Sequence, residues 1–289
     1  MIPWPESVVE SLARRTCVIY LGSGISHNSI NKDDKRPPTW KTFLESGCGK
    51  LTGDSKSLIE NKIKNNDYLM ACELLRKALG KDEFNDLLKN EFQKPCYPEA
   101  EIHKRIFELD SKIVVTPNFD KIYDTYAQNA THGAMVIKNY ADNGIIDCIR
   151  NSERLILKIH GTIDNPDKLV FSQVDYAKAR NEHRHFYQIL NALLLTQTFL
   201  FVGAGLNDPD IKLLLENYAF QYPMSRKHIF VIPDDQMSDD ERFIHSETLG
   251  LDFLLYNCHD NHKELTDSII DLVEKVANLR DEMGVSQTW

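Results

Sequence analysis

The sequence predicts an α/β fold with a Rossmann-like, largely parallel sheet. Short, nearly continuous apolar runs of four to six residues recur along the 289-residue chain. Segments with helical periodicity separate them, which is the pattern of parallel strands that crossover helices bury on both faces. The runs that we predict to be strands span residues 17–21, 112–115, 155–159, 198–202, 228–232 and 252–256.

The long gap between the first two runs predicts a small helical subdomain inserted into this sheet. It carries no convincing strand signal, and residues 69–79 have apolar side chains at helical spacing. We place the helical insertion at about residues 41–110 and interpret residues 1–289 as a single domain. Residues 262–280 predict a C-terminal helix whose apolar stripe packs on the sheet edge or on another subunit.

Composition and charge argue against several classes of protein. The net charge of −9 comes from 34 basic and 43 acidic residues without a long run of either sign, so direct binding of nucleic acid is disfavoured. No apolar run approaches the roughly eighteen residues of a membrane span. The six cysteines are scattered, so we expect no structural metal. The chain start lacks the features of a leader peptide, and we expect a cytoplasmic protein.

The first apolar run ends at a glycine turn, Gly22-Ser23-Gly24. Glycine lets a chain turn sharply out of a strand and lets a phosphate approach main-chain N–H groups that a Cβ would shield. The third glycine of a dinucleotide fingerprint is absent, and a pair of glycines after a strand is usually only a turn. The turn is therefore a candidate phosphate site that needs support from other motifs.

Polar side chains follow the second and third runs. Asn118 and Asp120 follow the second run after a short turn, and His160 comes directly after the third. In a parallel sheet these positions lie at the edge where ligands bind, and a histidine there can act as a general base near neutral pH. The alternatives are that Asn118 or Asp120 caps the helix that begins near Lys121, and that His160 is structural.

A second glycine loop, Gly203-Ala204-Gly205, follows the fourth run and precedes Asp208-Pro209. Asp208 is suited to cap the next helix, with Pro209 in its first turn. A ligand role therefore belongs to the glycine loop rather than to Asp208. Four polar or glycine-rich strand ends in one chain predict a shared ligand site.

In this order the four motifs resemble those of the sirtuin (SIR2) superfamily, over roughly residues 16–232. The family's Gly-Ala-Gly-x-Ser turn, Thr-Gln-Asn-x-Asp segment, His-Gly pair and late glycine loop stand here at 22–26, 116–120, 160–161 and 203–205. Ser23 and Pro117 replace the family's alanine and glutamine.

Two departures separate the chain from the family's protein deacylases. It has no cysteine between residues 149 and 257, where those enzymes carry a four-cysteine zinc ribbon. A tryptophan, Trp40, before a helix and the late Asp208-Pro209 are similar instead to the SIR2-like NADase branch of bacterial anti-phage defence proteins. The whole chain is on this basis interpreted as a single SIR2-like domain.

The resemblance implies an NAD+ hydrolase that cleaves the nicotinamide–ribose bond and acts as a toxic effector in anti-phage defence. NAD+ is then the substrate, no metal is involved, and the products are nicotinamide and ADP-ribose or its cyclic form. It implies that Asn118 holds the ribose hydroxyls and a water, that Asp120 engages the carboxamide, and that His160 is the general base. The implied NAD+-binding residues are Gly22, Ser23, Gly24, Ser26, Asn118, Asp120, Gly203, Ala204 and Gly205.

The resemblance also implies a homo-oligomer and an activating or sensing partner protein, such as a HerA-type ATPase or a short Argonaute. Two other functions stay open from the sequence. One is a zinc-free, NAD-dependent protein deacylase or ADP-ribosyltransferase that uses Asn118 and His160 on a protein substrate. The other is a non-catalytic module that senses NAD+ or ADP-ribose.

Overall fold

A computed structural model describes residues 1–286 and contains a seven-stranded, fully parallel sheet. The strand order is β3-β4-β2-β1-β5-β6-β7. The chain leaves β1 toward β2 on one side and returns on the other side with β5, so the β1–β5 boundary is the point where the strand order reverses. The strands are β1 Cys17–Leu21, β2 Ile113–Thr116, β3 Val136–Asn139, β4 Leu155–Lys158, β5 Thr198–Val202, β6 His228–Pro233 and β7 Leu251–Tyr256.

The predicted α/β fold is confirmed, and all six predicted runs form strands with end shifts of at most one residue. The sequence prediction missed β3. This strand has four residues, pairs only with β4 at the sheet edge, and is half-buried along its whole length. An edge strand of this kind needs no continuous apolar run, which was the signal used for the others.

Helices cover both faces and the carboxyl end of the sheet, and among those described none is both long and apolar enough to cross a membrane. A π-helical turn at Lys89–Gln93 and a 3-10 turn at Pro166–Lys168 complete the regular structure. The helices are α1 Glu6–Ala13, α2 Ser23–Ser26, α3 Trp40–Cys48, α4 Asp54–Lys64, α5 Tyr68–Leu79, α6 Lys81–Leu88, α7 Glu101–Glu108, α8 Ile122–Ala130, α9 Ile145–Arg150, α10 Gln173–Glu182, α11 Arg184–Thr196, α12 Pro209–Gln221, α13 Asp239–Leu249 and α14 His259–Ser286.

The predicted helical subdomain is present as α3 to α6, which share a small apolar core of their own. That core contains Phe43 and Phe84 from the helices, together with Phe119 after β2 and Phe171 after β4. The rings of Phe119 and Phe171 lie 4.7 Å apart. The aromatic contacts therefore join the helical layer to the carboxyl edge of the sheet, and we propose that the chain is one domain with this layer as its insertion.

The last helix, α14, covers one face of the sheet rather than an edge or another subunit, which corrects the sequence prediction. It packs between α1 and α7. Its buried residues Ile269 and Leu272 share one apolar core with Val8 and Leu12 of α1 and with alternate residues of the central strands. The apolar stripe of α14 is thus satisfied within this chain, because α1 and α7 leave a matching apolar surface beside it.

The two glycine loops touch each other where β1 and β5 end. Gly22 N–H donates to Val202 O, and Gly24 N–H donates to Gly203 O at 2.9 Å. A Cβ added to Gly24 would lie 2.9 Å from Gly203 O, and one added to Gly203 would lie 2.7 Å from a main-chain nitrogen of α2. Gly203 also has φ of 63°, a left-handed conformation that favours glycine. The glycines are required because two backbones pass closer than side chains allow.

We predict that Gly203→Ala destabilises the protein, whereas Gly205→Ala hardly changes its stability. At Gly203 the new Cβ meets the backbone at 2.7 Å in a left-handed conformation, while at Gly205 the nearest atom is the Asn207 Nδ2 at 3.6 Å. The strain at Gly203 costs about 1–3 kcal/mol, and each kcal/mol lowers the melting temperature by roughly 2–4 °C for a domain of this size. Thermal unfolding of both variants is the measurement, and equal melting temperatures would contradict the close approach.

Candidate active site

A cleft of about 670 Å³ lies at the carboxyl ends of the central strands, between the sheet and the helical layer. This volume lies within the range of small-molecule sites. Aromatic and proline side chains from the helical layer and its flanking loops form one wall, among them Trp40, Tyr68 and Phe171. The opposite wall holds these residues that the sequence predicted: Gly22, Ser23, Ser26, Asn118, Asp120, His160, Ala204 and Gly205.

Gly24 and Gly203 are the two predicted residues that do not line the cleft, because they face each other across the loop contact. The N–H groups of Gly22 and Gly24 already donate to main-chain oxygens of the β5 exit. Two of the three N–H groups of this turn, the candidate phosphate site, are therefore engaged. At this turn the main chain and hydroxyl of Ser23 remain for an anionic ligand.

Asn118 is held by the first glycine loop and points its amide oxygen away from it. Its Nδ2 donates to Gly22 O at 3.0 Å and to Ser26 Oγ at 3.1 Å. Since a main-chain oxygen can only accept, the NH2 group must face Gly22. The Asn118 Oδ1 has no partner among residues 1–286 and can accept a hydrogen bond from a ligand hydroxyl or a water. Asn118 does not cap the helix that follows.

Asp120 precedes Lys121, the N-cap residue of that helix, and its carboxylate contacts both the first N–H of the helix and the glycine turn. Its Oδ1 accepts from Ile122 N–H at 3.1 Å, and its Oδ2 accepts from the Ser26 hydroxyl at 2.8 Å. The side chain is buried but borders the cleft. A ligand contact to Asp120 must use the lone pairs that these two bonds leave free.

A buried ion pair supports the Asn118–Asp120 loop from below. Lys158 on β4 is 1% exposed, and its Nζ donates to Asp124 Oδ2 and to Asp120 O, both at 2.6 Å. Burial raises the pKa of the Asp124 carboxyl above its usual range, although the Lys158 ammonium opposes that shift. The sequence analysis missed this pair; the available signal was a lysine inside an otherwise apolar strand.

His160 lies at the end of β4 and pairs with a carboxylate. Its Nε2 is 3.1 Å from Asp208 Oδ2, and its ring meets the ring of Tyr176 edge-on at 5.0 Å. The Tyr176 hydroxyl donates to the same Asp208 oxygen at 3.4 Å. Because an ionised carboxylate only accepts, a neutral His160 carries its proton on Nε2, and Nδ1 is the nitrogen that can accept one.

Asp208 serves both the helix and the site, whereas the sequence analysis assigned it the cap alone. Its Oδ1 accepts from the N–H groups of Asp210 and Ile211 at the start of α12, while Oδ2 faces His160. Burial acts to raise the pKa of the Asp208 carboxyl, but His160 and the two main-chain donors outweigh it and hold that pKa below its usual range. The carboxylate is thus ionised and orients the imidazole.

In one cleft, the structure thus places His160, which the Asp208 carboxylate orients, and the Asn118 amide oxygen, which has no hydrogen-bond partner among residues 1–286. That combination suits the activation of a water or a sugar hydroxyl. Within residues 1–286, the side chains that could share a metal ion are Asp234, Asp235 and Cys258, which lie outside the cleft.

Comparisons with known proteins agree with the motifs. The model of the SIR2-like domain family matches residues 112–253, a stretch that includes Asn118, Asp120, His160 and the second glycine loop. Defense-associated sirtuin 2 of Bacillus subtilis is 26% identical over 253 residues, which cover 85% of this chain and 24% of that protein.

Proteins named NAD(+) hydrolase ThsA are also similar to this chain. The one from Enterococcus faecium is 25% identical over 248 residues, covering 81% of this chain and 48% of that protein. The one from Acinetobacter baumannii is 22% identical over 230 residues, covering 78% and 44%. The chain spans less than half the length of these curated relatives. The match of the SIR2-like domain model to residues 112–253 therefore agrees with the resemblance to the sirtuin superfamily that the motifs indicated.

Proposed function

We propose that this chain hydrolyses the nicotinamide–ribose bond of NAD+ and releases nicotinamide and ADP-ribose, or a cyclic form of it. The observation that carries the proposal is the meeting of Asn118 with the His160–Asp208 pair in one cleft beside both glycine loops. Similarity to proteins named NAD(+) hydrolase ThsA supports the choice of substrate.

Cleavage of this bond builds positive charge on the ribose, so the enzyme must hold the sugar and supply a nucleophile. The Asn118 Oδ1 has no hydrogen-bond partner in the described chain, and it accepts a hydrogen bond from a ribose hydroxyl or from the attacking water. His160 accepts the proton through Nδ1, while Asp208 holds Nε2 and stabilises the charged ring. Asp120 binds the carboxamide through its remaining lone pairs.

The aromatic wall gives the dinucleotide an apolar surface made of mutually inclined rings. The rings of Trp40 and Phe171 lie 4.7 Å apart, and Tyr68 is 6.3 Å from Trp40. A planar base packs well against such rings. Ser23 on the first loop and the Ala204-Gly205 main chain on the second border the same cleft and contact the pyrophosphate and adenosine.

The biological role belongs to the same proposal. An enzyme that destroys NAD+ in the cytoplasm must be controlled, so we propose that a homo-oligomer or an activating partner protein switches it on in anti-phage defence. Similarity to a protein named Defense-associated sirtuin 2 supports this role. The expected result is NAD+ consumption that depends on protein concentration or on an added partner, measured together with the molecular mass in solution.

We predict that His160→Gln lowers NAD+ turnover by about 10²–10⁴-fold, the usual contribution of a general base. Glutamine keeps an amide that can donate to Asp208, so the melting temperature should change little. The measurement is nicotinamide release from NAD+ with no protein substrate added. Release without an acyl-lysine peptide or a protein acceptor also separates a hydrolase from a deacylase or an ADP-ribosyltransferase, and release at all excludes a purely sensing module.

His228→Gln is the matched control, because His228 is also a buried histidine of the sheet region but lies outside the cleft. It begins β6 at the opposite end of the sheet, and its Nδ1 accepts from Phe199 N–H. This variant should melt earlier and keep its turnover per folded molecule. If His160→Gln behaves in the same way, the structural interpretation of His160 is correct and the proposed site is wrong.

The His160–Asp208 pair also predicts a pH dependence of stability. Since the folded protein holds the pKa of Asp208 below its usual value of about 3.9, ionisation of this carboxyl stabilises the fold above that pH. The contribution is lost as the pH falls through the lowered pKa. The gap in unfolding free energy between the parent protein and Asp208→Asn should therefore shrink on acidification, as denaturant titrations at several pH values can measure.

In a His160→Gln background this shrinkage should be smaller, because a neutral glutamine amide can donate to Asp208 but does not supply the electrostatic attraction by which His160 favours the ionised carboxylate. A gap that is the same at every pH, or the same in both backgrounds, would mean that the pair does not form.

A further inference from the structure

His103, on α7, is buried with one nitrogen unpartnered. The side chain is 0% exposed, and its Nδ1 accepts from Ala100 N–H at 3.0 Å. Burial lowers the pKa of His103, although the carboxylates of Asp120 and Glu99 act in the opposite direction. The ring is therefore neutral with its proton on Nε2, and this N–H donor has no hydrogen-bond partner among residues 1–286.

His103 lines a small cavity next to the cleft, together with both polar and apolar side chains. Its volume of about 10 Å³ is close to the space that one water requires. Three of its lining residues, Ser26, Asn118 and Asp120, also line the cleft. Lys158 and Asp124 form the other side. A buried donor without a partner destabilises the fold, and a water in this cavity would remove that cost.

We propose that this cavity holds one water, through which His103 positions Asp120 for the reaction, so that His103 is a positioning residue of the active site. The water accepts from the His103 Nε2–H and from the third proton of the Lys158 ammonium, whose other two bonds go to Asp120 O and Asp124. It donates to the free lone pairs of the Asp120 and Asp124 carboxylates. These partners match the hydrogen-bonding capacity of a buried water.

Asp120 passes this constraint to the cleft. Its Oδ2 accepts from the Ser26 hydroxyl, and Ser26 Oγ in turn accepts from the Asn118 amide. A shift of the Asp120 carboxylate therefore also moves the Ser26 hydroxyl and, through it, the Asn118 amide. This inference rests on the proposed function, in which Asn118 and Asp120 bind NAD+.

Two substitutions at His103 test the roles of its two ring nitrogens separately. Asparagine places an oxygen near the position of Nδ1, so His103→Asn keeps the bond from Ala100 N–H and loses the donor toward the cavity. Glutamine places its NH2 near the position of Nε2, so His103→Gln keeps the donor and loses the bond from Ala100. We expect His103→Asn to melt higher than His103→Gln but to have the lower NAD+ turnover.

The expected loss of kcat/KM in His103→Asn is about 10- to 100-fold, as for a small displacement of a reacting group, whereas His103→Gln should stay within a few-fold of the parent protein. A merely structural role predicts that activity follows the melting temperature in both variants. Turnover that ranks in the same order as stability would therefore overturn the proposal.

A second readout does not depend on NAD+ cleavage. In protein labelled with 15N-histidine, the resonance lost in His103→Gln identifies His103, and its shifts should report the Nε2–H tautomer. A nuclear Overhauser effect from that proton to a long-lived water is expected. The Nδ1–H tautomer, or no water contact, would overturn the inference even in an active enzyme. If no variant cleaves NAD+ while this signal is present, the proposed function fails and the bound water stands.

Discussion

The contact between the β1 and β5 exits is the constraint on which the rest of the site depends. Two loops without side chains at Gly24 and Gly203 approach within hydrogen-bond distance. This approach fixes α2, and with it the Ser26 hydroxyl that holds both Asn118 and Asp120. The loop that follows β5 continues from Gly203 to Asp208, which orients His160. Packing, rather than ligand binding, is what these glycines serve first.

Structural and functional roles are combined in single side chains at this edge of the sheet. Asp120 and Asp208 each use one carboxylate oxygen at the start of a helix and the other within the site. A helix N-terminus holds such a carboxylate in one orientation and favours its ionised form. Capping and catalysis are therefore compatible interpretations of one residue, and the cap supplies the rigidity that an orienting group needs.

Much of the fold and part of the site were predictable from the sequence, for physical reasons that differ between residues. Central strands are buried on both faces, so an apolar run reveals them, whereas the half-buried edge strand β3 leaves no such run. Motif residues at strand ends meet because parallel strands share a carboxyl edge. The site roles of Lys158, Asp208 and His103 were not predicted, because these roles come from burial and from neighbours distant in the chain.

The aromatic core of the helical layer sets the width of the cleft. Since Phe119 and Phe171 belong to that core and follow central strands, the layer cannot swing away from the sheet without exposing their rings to water. Opening by a rigid hinge therefore carries a hydrophobic penalty that a mobile lid would not. We therefore expect a ligand to enter and leave through a mouth of nearly fixed size, and its exchange to be limited by diffusion through that mouth rather than by domain motion.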